Sequence, residues 1–150
     1  MFDLVADVGS YPQFLTGCRH AVIHEQSSKH LIADLDVAWN VFAGKFRSWV
    51  SLTAPESIHI HYSEGPFKAM ESWWTFKDVA FHLKRPQCQI EFKMHLKLES
   101  VVLESFASPV LDLLCKKMMK CFEDRARAIY PRKAGEMCGE SSFSNVKSKD

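Results

Sequence analysis

The chain has 150 residues, 47% of them hydrophobic and 25% charged, which is the make-up of one globular domain and argues against a disordered or collagen-like chain. A domain of this length buries roughly 70% of its unfolded surface, so a core can form without staples. Nineteen Lys+Arg against eighteen Asp+Glu leave a formal charge of +1, so bulk charge gives no reason to expect a nucleic-acid partner. Residues 1–15 show helical spacing, with Phe2, Val5 and Ala6 on one side and Asp3 in the first turn, where a carboxylate suits the helix dipole. Gly9-Ser10 breaks that segment. Tyr11-Pro12-Gln13-Phe14-Leu15 then reads as a second short helix with proline near its start, closed by Gly17.

From residue 18 to 98 the period becomes two. Ala21-Val22-Ile23 is a modest strand. In 30–40, Leu31, Ala33, Leu35, Val37 and Trp39 share one face, opposite Asp34 and Asp36. Phe46, Ser48, Val50 and Leu52 then alternate with Lys45, Arg47, Trp49 and Ser51. Ala54-Pro55-Glu56-Ser57 makes a turn. Ile58, Ile60 and Tyr62 alternate with His59 and His61, and Gly65-Pro66 punctuates before Met70, Ser72, Trp74 and Phe76. The last strand is the most regular: Cys88, Ile90, Phe92, Met94, Leu96 and Leu98 face one way, Gln89, Glu91, Lys93, His95 and Lys97 the other. Such alternation predicts an antiparallel sheet of about six strands with one wet and one dry face.

Residues 101–130 are the one long helix, with Val102, Phe106, Val110, Leu113, Leu114, Met118, Cys121, Phe122 and Ile129 as its apolar stripe. Pro109 is expected to kink it or split it near Ser108. Residues 132–150 lack periodicity and read as a disordered tail, leaving 1–131 as the folded domain. Strands followed by a single long helix indicate an α+β fold in which the helix lies across the sheet. The space between them is a core or a pocket, depending on how side chains fill it.

The candidate chemistry is sparse. Five cysteines (18, 88, 115, 121 and 138) include no C-x-x-C pair, so neither a zinc knuckle nor a closed disulfide framework is indicated. Cys88 and Cys115 read as small core residues. His59-x-His61 and Asp34-x-Asp36 fall on the polar face, without a third ligand or a cleft, and read as solvated groups. No nucleophile elbow, phosphate loop or dinucleotide fingerprint occurs, so no catalytic residue and no metal site is assigned. No apolar run approaches the roughly 20 residues that span a bilayer. Asp3 and Asp7 follow Met1 without a basic lead, so no signal peptide is expected at this end.

Three blocks in register carry a resemblance. Val5-Ala6-Asp7-Val8 with Tyr11-Pro12-Gln13-Phe14-Leu15 and Cys18, then Gly65-Pro66-Phe67 with Met70, Trp74 and Phe76, then Phe122-Glu123, Arg125-Ala126 and Tyr130, together resemble the mitochondrial coenzyme Q-binding START-domain proteins of the polyketide cyclase/START superfamily. The resemblance covers about 130 residues. It implies the helix-grip (START-like) fold, with an apolar cavity between sheet and C-terminal helix. It also implies binding of ubiquinone (coenzyme Q) or its polyisoprenoid precursors as ligand, with no catalytic cofactor, by a peripheral protein on the matrix side of the mitochondrial inner membrane. Such a protein would act as a lipid chaperone supporting quinone synthesis and respiration, in contact with the membrane and with quinone-biosynthesis or respiratory complexes.

Joined to strand and helix phase, the resemblance gives an expected cavity wall of Leu35, Val37, Trp39, Phe46, Val50, Met70, Trp74, Phe76, Phe92, Met94, Phe106, Val110, Leu114 and Met118. Ser48, Tyr62 and Ser72 are the expected polar contacts to a head group. Phe67, Lys116, Lys117 and Lys120 are the expected membrane contacts. Cys18 recurs in the family, yet without a base nearby it reads as a packed thiol rather than a nucleophile. Two departures stand out. The family usually has Leu-Pro-Trp-Cys where this chain has Leu15-Thr16-Gly17-Cys18, so an aromatic element is expected to be lost there. Family members also carry a strand ahead of the point where this chain begins, so the sheet is expected to lack it. The alternatives are a polyketide cyclase-like enzyme of the same superfamily and, as for bacterial relatives implicated in binding the large ribosomal subunit, a ribosome-associated protein.

Overall fold

The computed structural model describes residues 1–39, 42–65, 67–78, 88–98 and 101–130. Helix α1 (Phe2–Ala6), a 3-10 turn (Val8–Ser10) and helix α2 (Tyr11–Phe14) open the chain. Strands β1 (Cys18–Gln26), β2 (His30–Trp39), β3 (Phe42–Thr53), β4 (Ser57–Glu64), β5 (Phe67–Asp78) and β6 (Cys88–Leu98) follow, and helix α3 (Val101–Ile129) comes last. The strands form one antiparallel sheet in the order of the chain. This is the expected α+β helix-grip architecture. The segment 132–150, read from sequence as a tail, lies outside the described residues.

Period two sets the sheet's faces. Leu31, Ala33, Val37, Phe46, Val50, Ile58, Trp74, Phe76 and Phe92 are buried on the inner face. One expectation fails for a local reason, and of the two outcomes expected at Pro109 the split does not occur. Cys88 has the inward phase but is exposed, because it stands at the first position of β6, whereas Cys115 is buried in α3. Pro109 does not split α3, which runs as one element of 29 residues. Proline removes a single N–H donor, and the turns beyond it are held by packing.

That packing fixes the helix phase. Leu111, Cys115, Met118, Met119, Phe122 and Ala126 join the core, recurring at three, four and seven residues. Phe122 is the anchor: its ring meets Trp74 at 5.0 Å, Tyr11 at 5.3 Å and Phe14 at 5.3 Å, each edge to face. Arg125, one turn on, lays its guanidinium over the Phe14 ring at 5.5 Å and bonds Gln13 Oε1 at 3.3 Å. Tyr11 donates its hydroxyl proton to the Val5 carbonyl at 2.5 Å, tying α2 to α1. The Phe122, Arg125 and Tyr11 signatures of the sequence are therefore a clamp that seats α3 on the N-terminal helices.

Candidate functional site

The inner face divides into two apolar clusters. The larger holds Leu31, Ala33, Val50, Ile58, Trp74, Phe76 and Phe92 under Cys115 and Phe122, with Met94 and Met118 packed against it. Trp74 is its hub, with Phe92 at 4.5 Å and Phe122 at 5.0 Å. Side chains touch side chains here, so Val50, Trp74, Phe76, Phe92, Met94 and Met118 are core residues in this structure. The smaller cluster is Val37, Phe46, Phe67 and Met70, flanked by Leu35, Trp39, Tyr62 and Leu96. It lies toward the opposite ends of the strands.

Between the clusters the inner face becomes small and polar. Cross-strand register sets Ala33 beside Ser48 and Ser48 beside Tyr62, while Ser72 lies between Ile60 and Met94. Ser48 is 1% exposed and Ser72 3%. The Ser48 hydroxyl has one long bond, to the Ala33 carbonyl at 3.5 Å, and the Ser72 hydroxyl has none among the described residues. The Tyr62 hydroxyl accepts the Phe67 N–H at 3.1 Å and keeps its own proton to donate. The three expected head-group contacts thus lie at this waist, next to the smaller apolar cluster.

Three expected positions differ. Val110 is 39% exposed, because the helix phase set by Cys115 and Phe122 turns it outward. Leu114 is half-buried at the edge of the stripe. Phe67, expected at a membrane, is buried against Phe46 and Tyr62, 5.6 Å from each. A bulge between Phe67 and Ala69 shifts the alternation by one residue and swings the ring inward. Gly65, at φ +139°, makes the close approach to Lys45 and Phe46 that this turn needs. The side chain of Phe106 lies outside the described residues. Lys116, Lys117 and Lys120 are exposed as expected, with Lys120 paired to Asp124 at 3.0 Å.

The expected loss of an aromatic at Gly17 is made good from elsewhere. A Cβ on Gly17 would overlap Nε1 and Cδ1 of the Trp39 indole. That indole fills the space and donates its N–H to the Thr16 carbonyl at 3.1 Å.

Titratable groups inside the fold are held protonated. Burial pushes the Cys18 thiol up to about 11, aided by the Asp36 charge, and the Cys115 thiol up to about 11, aided by Asp112. Burial also raises the Tyr11 phenol. Cys18 is thus a packed thiol, in contact with the His20 carbonyl at 3.7 Å. The strand carboxylates Asp34, Asp36 and Glu71 take the outer phase of the sheet. His59 and His61 share Glu71 at 3.7 and 3.3 Å, and no cluster of three metal-ligating groups occurs among the described residues.

Asp34 and Asp36 both depart from the solvated reading: Arg19 bonds Asp36 at 2.7 and 3.2 Å and lowers its carboxyl, and Asp34 is shifted further. A bidentate bond from Arg47, at 2.7 and 2.9 Å, together with His24 at 2.7 Å, holds its carboxyl down at about 2. Its folded value is below the ordinary 3.8, so its contribution is present above about 4 and is lost as pH falls through about 2. Asp34→Asn is expected to be less stable than the parent at neutral pH. The difference should close on acidification, as read from thermal unfolding against pH, and a constant difference would contradict the assignment.

Comparison with known proteins places this geometry. Residues 1–123 match the family described as polyketide cyclase / dehydrase and lipid transport. The chain belongs to that family. A ribosome association toxin RatA from Vibrio cholerae is 32% identical over 130 residues, covering 87% of this chain and 88% of the relative. A mitochondrial coenzyme Q-binding protein COQ10 homolog B from Xenopus laevis is 25% identical over 88% of this chain and 54% of its own length. Among solved structures, the Zhui aromatase/cyclase from Streptomyces sp. R1128 superposes with a TM-score of 0.69 over 91% of this chain and 89% of that one, at 15% identity. For this member of the polyketide cyclase and lipid transport family, the likeness to the aromatase supports the shared fold alone.

Proposed function

We propose that the chain binds an isoprenoid-quinone type of lipid, ubiquinone or a polyisoprenoid precursor, and shields it from water without chemical conversion. The observation that carries this reading is the waist of the inner face, where Ser48 and Ser72, each at most 3% exposed, and the Tyr62 hydroxyl adjoin an apolar cluster. Quinone carbonyls accept hydrogen bonds and do not need a charged partner. An isoprenoid tail laid over Val37, Phe46 and Met70 gains about 0.8 kcal/mol per CH2 removed from water. The expected wall narrows in this reading to Leu35, Val37, Trp39, Phe46 and Met70. Buried groups held protonated speak for binding over acid-base catalysis, since none offers a base.

Cargo exchange with a respiratory membrane, in mitochondria the matrix side of the inner membrane, would use Val110, Leu113, Lys116 and Lys117 on the exposed flank of α3. Attraction to anionic head groups contributes about 1 kcal/mol per basic residue. The test is organic extraction and mass spectrometry of protein purified from respiring cells. Quinone is expected in the parent and absent from folded Ser72→Leu, whose added bulk occupies the waist. Equal recovery from both would overturn the reading.

A second reading is ribosome association, favoured by the match to RatA along most of both chains. It predicts co-sedimentation of the purified chain with ribosomes, and absence from the ribosomal pellet would end it.

A further inference from the structure

The outer face of the sheet carries two features that lipid binding leaves unused. Trp49 and Trp73 hold the solvent phase of β3 and β5, at 48% and 37% exposure. Each has an imidazole stacked on it: His30 on Trp49 at 6.4 Å and 18°, His59 on Trp73 at 5.2 Å and 10°. A wet sheet face ordinarily keeps charged and hydroxyl side chains in such places. Beside Trp73 is a shallow depression of about 430 Å³, lined by Trp73, Thr75, Glu91 and Lys93. Register sets Trp73 directly opposite Lys93 and Thr75 directly opposite Glu91. Because His59 covers one face of the Trp73 indole, the opposite face is left for the depression.

The charges around it are unevenly paired. Lys77 neutralises Glu91 at 3.1 Å, and His59 and His61 bracket Glu71. Lys93 has no acidic partner among the described residues. A flat aromatic wall beside an unpaired ammonium suits a planar base joined to a phosphate. The Glu91 carboxylate, which also lines the depression, has acceptor capacity beyond its bond to Lys77 for a ribose 2′-hydroxyl, a donor that DNA lacks. The balanced charge of the whole chain does not weigh against this, because the contact is local.

We propose that the outer face of the sheet docks an unpaired stretch of RNA, with one base stacked on Trp73, its phosphate on Lys93, and Trp49 with His30 as a second stacking station. This deepens the ribosome-directed reading and rests on it only for the source of the RNA. A duplex hides its base faces, so single strands are the ligand.

The test is fluorescence anisotropy of the full chain with a short labelled single-stranded RNA, the matching duplex, and the same sequence as DNA. The single strand is expected to bind in preference to both. Trp73→Ala should weaken it about tenfold, while Trp73→Phe, which keeps a ring to stack, retains most of the affinity. Lys93→Glu should weaken it and flatten its salt dependence. Thermal unfolding of each variant confirms folding, and Ser72→Leu should bind RNA like the parent. Equal affinity for duplex and single strand, or indifference to both Trp73 and Lys93, would overturn the proposal. So would a Trp73-dependent dimer, or Trp73-dependent binding to phosphatidylglycerol vesicles in place of RNA. Oligonucleotide binding without ribosome pelleting sinks the ribosome reading and keeps this one. Ribosome pelleting that ignores Trp73 and Lys93, with no oligonucleotide bound, does the reverse.

Discussion

Phe122→Ala is expected to destabilise the fold by about 3–5 kcal/mol, read as a lowered urea midpoint with little change in slope. The ring is 1% exposed and is wedged between Tyr11, Phe14 and Trp74, all within 5.3 Å. None of these neighbours can collapse into the gap easily. Trp74 is held by Phe92 and Phe76, and Tyr11 by its bond to the Val5 carbonyl. The cost therefore combines lost transfer energy with a retained cavity. Phe122→Leu, which keeps most of the volume, should lose much less. A loss below about 1 kcal/mol for the alanine variant would show that α3 is seated by something other than this clamp.

Gly17→Ala is expected to cost about 3 kcal/mol, an unusual penalty for one added methyl. Two terms combine. Gly17 has φ +90°, which strains any residue with a Cβ. The new Cβ would also overlap the Trp39 indole and approach the Ala38 carbonyl to 2.9 Å. The indole cannot swing away without losing its bond to the Thr16 carbonyl. The two terms separate in a double-mutant cycle. In a Trp39→Ala background the indole clash is gone, and Gly17→Ala should then cost about 1–2 kcal/mol, from backbone strain and the remaining approach to the Ala38 carbonyl. Additive penalties, measured by urea unfolding, would show that the two residues do not share this space. The same substitution should disturb the smaller apolar cluster, because Trp39 flanks it.

These positions also show where sequence reading reached its limit. Gly17 registers as a lost aromatic when the chain is compared with its family pattern. Only the fold brings Trp39, 22 positions further along, into the vacated space. Phe67 follows the same logic: strict alternation sends it outward, and a bulge that no periodicity announces turns it in. Val110 is a phase error of a different kind. The helix stripe contains more apolar positions than one face can hold, and contact with Trp74 selects those in line with Cys115 and Phe122. Trp73 had a sequence signal, a tryptophan on the polar phase of a regular strand, but its meaning depended on the cross-strand company of His59 and Lys93.

The amino-acid order by itself determined the strand count, the two faces of the sheet, the long final helix and the polyketide cyclase/START superfamily. Those properties are local or periodic: a period of two or 3.6 writes burial directly into neighbouring positions. Tertiary structure alone decided which apolar residues fill the core and which border the Ser48–Ser72 waist, because that division depends on where Phe122 comes to rest against Trp74. Contacts between residues 48 positions apart are set by the packing of whole elements. No window along the chain contains them.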